Sequence, residues 1–374
     1  MSTYCCAVLK IQNLECFGWS DPEIVPVNTM KSAKFAASSN LDRFIVSNST
    51  SSNESAISYI FDGSDWIQTE VPNSSNARKL ILSKNGLVVA VIFWDHLNIY
   101  GYNETTWREM GKNIPIHRGY FPVALSGDGS TLVVGMGESG QDTNVTIYSF
   151  DGSDYVVEGV LESDDETENF GNSIAISSDG SRIAVGSTYR NENDLDCLFL
   201  FRVRIYDRNE GQWVNQQIVT KDKCSYRDID MSHNGNRIIV DSKTKAEGFA
   251  RVYDYDGRKW IQKGRGLRGT LMAISGSGDF VAMEESSRTF KIYEYKKVPN
   301  TWIQVGKVFK SECYLYEMVV LSYDGSGVLN AIFDQIEIHE LKNGVNCKKC
   351  SFIGNWIETW IPFFDQCSDD DYFE

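Results

Sequence analysis

The sequence predicts an all-β chain, a seven-bladed β-propeller of four-stranded antiparallel blades with a short C-terminal tail. Three observations carry that expectation. A serine closing a short apolar strand recurs at Ser38, Ser83, Ser126, Ser177, Ser232, Ser275 and Ser322, at spacings of 45, 43, 51, 55, 43 and 47 residues. A second marker follows in step at Tyr59, Tyr100, Tyr148, Tyr206, Tyr253 and Tyr293, with His339 in the seventh place. A third opens the next strand at Trp66, Trp107, Tyr155, Trp213, Trp260 and Trp302. A period in the forties with four strands per unit is the mark of radially arrayed blades.

The fourth copy shows how each unit is built. Ile174-Ala175-Ile176 and Ile183-Ala184-Val185 are short alternating apolar runs on either side of Asp179-Gly180. Such a pair reads as a β-hairpin, because glycine accepts the positive φ of the turn. Val203 to Asp207 forms a third strand, Asn209-Glu210-Gly211 a second turn, and Gln212-Trp213-Val214 a fourth strand. With the four strands named A to D, A lies nearest the axis, where crowding suits Ala36, Ala124, Ala175 and Ala273. The Tyr and Trp columns then form an aromatic layer between neighbouring blades.

Closure is the open point. Strand C of the seventh copy, Gln335 to Leu341, has no turn-plus-Trp partner directly after it. The N-terminal segment Tyr4 to Ile11 is the preferred fourth strand, and Ser351 to Trp360 is the other candidate. An open or six-bladed arrangement stands as the alternative if the first copy forms no blade. The propeller is assigned to residues 1–345, and 346–374 to an aromatic and acidic tail. In that tail Ile353, Trp356, Ile357, Trp360 and Ile361 fall at helical spacing, giving one stripe that packs on the ring or docks a partner.

Composition removes several classes of function. A net charge of −15 opposes binding to nucleic acid and to anionic membranes. The longest apolar run, Leu87 to Trp94, is far too short to span a bilayer and reads as a buried strand. Met1 to Ile11 lacks a secretory signal, and nine scattered cysteines suit a reducing compartment, so an intracellular protein is expected. Five glycosylation-type triplets, beginning at Asn48, Asn53, Asn73, Asn103 and Asn144, keep a secreted protein open.

The repeats resemble β-propeller repeats of the WD40-like and FG-GAP-like kinds: Ile174 to Gly180, Ile183 to Gly186 and Val203 to Asp207 carry the likeness, and Phe170-Gly171 is similar to an FG-GAP opening. The resemblance covers roughly residues 30 to 341. It implies a fold, since propellers host many unrelated activities. The Gly-His and Trp-Asp pairs of WD40 repeats do not recur from copy to copy, and the calcium loop of integrin-type blades is missing.

In a propeller of this order the A–B and C–D turns share one face, and the B–C and D–A connections share the other. Length variation gathers on the second face, in Asn48 to Ser55, Gly137 to Asn144, Ser187 to Leu200, Glu158 to Asn169 and Gln216 to Arg227. Elaborated loops on one rigid face suit an interaction surface. Glu162, Asp164, Asp165, Glu166 and Glu168 form an acidic loop able to hold a cation or a basic partner, although a solvated charge run is its ordinary meaning. Lys263, Arg265 and Arg268, spaced by glycines between blades five and six, suit an anion, or a turn paired with nearby carboxylates. Trp356 and Trp360 complete the candidate binding set.

No catalytic set, metal site or cofactor motif is read from the sequence. The four histidines, His96, His117, His233 and His339, lack partners at metal-ligand spacing, and Cys347-Lys348-Lys349-Cys350 is a single pair where zinc needs four ligands. The expected function is a non-enzymatic scaffold binding a protein through the B–C and D–A face, within a larger assembly. Two alternatives remain: a carbohydrate-active or other hydrolase with carboxylates at the channel mouth, and a cation-dependent adhesion-type module using the acidic loop.

Overall fold

The computed structural model describes residues 17–27, 34–47, 54–116, 122–135, 144–163, 168–190, 199–220, 228–243, 248–286, 289–310, 319–332 and 335–343. All regular structure among them is β, in seven antiparallel sheets ordered A-B-C-D. The first copy forms a full blade from Lys34–Ala37, Arg43–Ser47, Ile57–Phe61 and Trp66–Glu70. In the second blade Val88–Ile92 is buried at every residue, as a strand covered by neighbours on both faces must be.

The marker serine organises each A–B turn. Its hydroxyl accepts the backbone N–H five residues on in all seven blades, from Arg43 to Gly327, at 2.8–3.1 Å. In six blades it donates to an Asp or Asn side chain, as Ser177 does to Asp179 at 2.6 Å. Ser275 meets the Ser277 hydroxyl instead. These serines are buried, so each bond satisfies a group that water cannot reach.

The next residue in each turn ties the blades together. Backbone bonds of 2.6–2.9 Å run from Ser39 to Lys84, Asn85 to Gly127, Gly127 to Ser178, Ser178 to His233, His233 to Gly276, Ser277 to Tyr323, and Tyr323 back to Ser39. The circuit passes through all seven blades around the axis. It fixes the A–B end as one rigid rim.

Six A–B turns place a glycine at φ of 69–82°: Gly86, Gly129, Gly180, Gly235, Gly278 and Gly325. Each lies against the first strand-B residue of the preceding blade, as Gly235 lies against Arg182. Blade one departs: Leu41 holds this conformation at φ 61°. Its side chain fits because the preceding blade has Gly327 where the others carry a side chain, and a Cβ there would meet Leu41 Cδ1 at 2.9 Å. Knob and hole have changed places at the closing junction.

Closure uses the N-terminal side of the chain, with a different segment from the one expected. Phe17–Trp19 and Glu23–Pro26 both pair with strand C of blade seven, Gln335–Asn343. Tyr4 to Ile11 and the whole of 346–374 lie outside the described residues. Trp19 sits opposite Leu341 as Trp302 sits opposite Tyr295. Trp19 therefore supplies the seventh member of the strand-D column. Each indole N–H donates at 3.2 Å to a carbonyl of the preceding blade's outer edge, Trp19 to Val305 and Trp302 to Lys263. Rings of the aromatic layer also stack within a sheet, as Phe44 does on its cross-strand neighbour Tyr59 at 4.7 Å. His339 keeps its place in this layer, edge-on to Phe309 at 5.1 Å.

Candidate functional site

The residues singled out from sequence do not converge on one place. Glu162 ends strand D of blade three and is exposed. Asp164, Asp165 and Glu166 lie outside the described residues, as do Trp356 and Trp360. Glu168 opens strand A of blade four (Glu168–Ile176), and its side chain is 0% exposed. It pairs with Arg202, with Arg204 at 2.6 Å, and accepts a bond from Ser163 at 3.0 Å. That corrects its assignment to a solvated loop: the repeat continues strand A outward, and burial there demands two guanidinium partners. Among the described residues no group of three or more His, Cys, Asp or Glu side chains is placed to hold a metal ion.

Lys263, Arg265 and Arg268 belong to strand D of blade five, Trp260–Arg268, and not to a connection between blades. Lys263 faces Asp254 at 3.7 Å, while Arg265 and Arg268 are exposed on the outer edge.

On the B–C and D–A face, blade two carries a feature that sequence reading missed. Trp94 and Asp95 form the tip of a hairpin between Val88–Ile92 and His96–Tyr102. Trp94 was assigned to the end of a buried strand, yet it is 59% exposed. Backbone bonds hold this tip from three sides: Phe93 N–H to His96 O, Arg78 N–H to Ile92 O, and Ile116 N–H to Asp95 O. The Arg78 guanidinium lies 3.5 Å from the centre of the Trp94 ring. Phe93 stacks on His96 at 4.6 Å, and Asp95 meets His96 Nδ1 at 2.7 Å. A large apolar side chain is thus presented on a firm base, capped by a cation that favours an aromatic face.

At the other end of the ring the A–B turns of blades one to five surround a cavity of about 440 Å³, lined among others by Lys84, Asn85, Gly127, Asp128, Ser178 and His233. Asp128 is spent on its own turn, accepting from Ser126, Ser130 N–H and Ser130 Oγ at 2.8–2.9 Å. Burial works to raise its pKa, but these bonds outweigh it and hold the carboxyl below the usual range. His233 is kept neutral by burial and by the charge of Lys84, which together bring its pKa down to about 4.

Below the rim stands Asp230, two residues before its marker serine. The same position elsewhere holds Ala36, Ile81, Ala124, Ala175, Ala273 and Val320, so Asp230 is the charged member of an apolar column. Met231 N–H and Ile274 N–H donate to it at 2.8 and 3.2 Å. Desolvation raises its pKa, opposed by Lys84 and these two bonds. Asp230 is half-buried.

No protein-family model matches the sequence, and no curated protein matches it. Among solved structures the chain is similar to Kuenenia stuttgartiensis hydrazine synthase, with a TM-score of 0.58 at 14% identity over 84% of this chain and 97% of that one. It is similar, too, to a chain in the crystal structure of a mitotic checkpoint complex, with a TM-score of 0.58 at 12% identity over 91% and 98%. In all, 1301 solved chains match. A likeness shared by an enzyme and a regulatory assembly reports the propeller fold and selects no activity.

Proposed function

We propose that this propeller is a non-enzymatic interaction scaffold that engages a protein partner through its B–C and D–A face. One observation carries the reading: Trp94, 59% exposed, stands on a pinned hairpin tip under the Arg78 guanidinium. Tryptophan and arginine are enriched among the residues that dominate binding energy. A side chain already held in place loses little conformational freedom on docking. The −15 net charge favours a partner with a basic rim, through faster encounter more than through affinity.

Purification of the full chain from its native source at physiological salt, followed by quantitative mass spectrometry, tests the proposal. A partner recovered near one-to-one supports it, and a free monomer counts against it. A second reading, acid–base chemistry at the channel mouth, is favoured by the raised pKa of Asp230 and the neutral His233, both under the charge of Lys84. Turnover of a glycosidase or esterase substrate that is abolished by Asp230→Asn would move the assignment to that reading.

A further inference from the structure

We infer that the A–B mouth of the channel binds a small oxyanion, a phosphate- or carboxylate-bearing solute, independently of the partner face. The rim circuit creates the conditions. Its seven backbone bonds occupy the rim carbonyls, and Lys84 O accepts from both Ser39 N–H and Ser39 Oγ.

Donors are left over. Among the described residues the Lys84 ammonium has no carboxylate within ion-pair distance, and its interaction with Asp230 is a longer-range one. Asn85 Oδ1 accepts from Ser83 Oγ at 2.7 Å and from Leu87 N–H at 2.9 Å, which fixes the amide and leaves Nδ2 without a protein acceptor. Ser178 Oγ has none either, and it lies so close over Gly127 that a Cβ there would sit 1.8 Å from it. All three groups line one cavity.

Asp128 shares the lining and stays ionised, so the site depends on Lys84 outweighing it. Asp128 Oδ1 takes three donors from its own turn, and both N–H bonds to Asp230 lie below the rim. A cation beside two donors that lack protein acceptors, in one open recess, is an arrangement an oxyanion satisfies with charge-assisted hydrogen bonds. Lys84 would supply the charge, and Asn85 Nδ2 and Ser178 Oγ the direction.

The test is calorimetric titration of the full chain at constant ionic strength, with inorganic phosphate in one arm and succinate in the other. The two arms separate the phosphate source from the carboxylate source. Saturable one-to-one binding of either probe is expected. Asn85→Asp should weaken it at least tenfold, and so should Lys84→Met. Asn85→Asp keeps the turn, because Asp128, Asp179 and Asp324 occupy the same place in other blades. Asp230→Asn should leave binding intact or tighter, and Lys263→Met, on the outer edge, should leave it unchanged. No saturable heat with either probe overturns the proposal. So does binding that Asn85→Asp and Lys84→Met leave as it was, which would reduce Lys84 to a counter-charge for Asp230.

Discussion

The two ends of the ring are built on opposite plans. At the A–B end seven short turns repeat one hydrogen-bonding scheme, and each joins the next through a bond of 2.6–2.9 Å. At the B–C and D–A end the described connections share no common scheme, and blade two places an exposed tryptophan on its hairpin tip. The first end spends its polar groups on holding the ring. Side chains there that serve no turn, such as those of Lys84 and Asp230, stand out against a regular background. Among its described residues the second end shows no such background, and a functional residue there has to be recognised by its exposure.

The sharpest way to disturb this contrast is to attack an element that only looks like part of the variable face. Glu168→Ala should destabilise the protein by about 3–5 kcal/mol, because it strands the buried guanidinium of Arg204 and frees that of Arg202. Denaturant unfolding reads the loss. A change within ~0.5 kcal/mol would return Glu168 to the solvated acidic loop.

The closing junction gives a second, smaller test. Gly327→Val drives a side chain into Leu41 and should cost about 1–3 kcal/mol. Adding Leu41→Gly restores the arrangement of the other six junctions and should recover part of that loss. A double-mutant cycle with no coupling between the two sites would refute the exchange of knob and hole.

Much of this architecture was legible in the sequence because it rests on local chemistry repeated in step. Ser177, Asp179 and Gly180 announce their turn, and Trp213 and Tyr206 their strands, without help from distant residues. Trp19 was missed because its partner strand lies more than 300 residues away and only the ring brings them together. Trp94 was missed because an apolar run ending in a tryptophan looks the same buried or exposed. The break in alternation at Trp94-Asp95, before Leu97 and Ile99 resume it, was the available sign of a hairpin tip. Asp230 becomes conspicuous once the seven serines are aligned, since the column two residues earlier is otherwise apolar.

At the regular end, pH separates the rim histidine from the turns. His233 titrates near 4 when folded and near 6.5 when unfolded. The unfolded chain therefore takes the proton first, and the protein loses stability as pH falls from about 6.5 to about 4. The turn carboxylates Asp128, Asp179 and Asp324, held below their ordinary value, lose their contribution only under more acidic conditions. Asp230 works in the opposite sense, its raised pKa lowering stability as pH rises through the window in which it ionises. Thermal unfolding of His233→Asn should accordingly depend less on pH between 6.5 and 4 than wild type, and Asp230→Asn should steepen that dependence. An unchanged slope in His233→Asn would show that its proton is not linked to folding.

The smallest effect on stability falls on the residue given the largest role. Trp94→Ala removes an exposed ring and should change folding free energy by no more than ~0.5 kcal/mol. The decisive measurement is the affinity of this variant, against wild type, for the protein recovered with the native chain. A central tryptophan anchor is worth about 2 kcal/mol or more, so binding should weaken at least ~30-fold while the melting temperature holds. Equal affinity in the two proteins would contradict the assignment of this face as the docking surface.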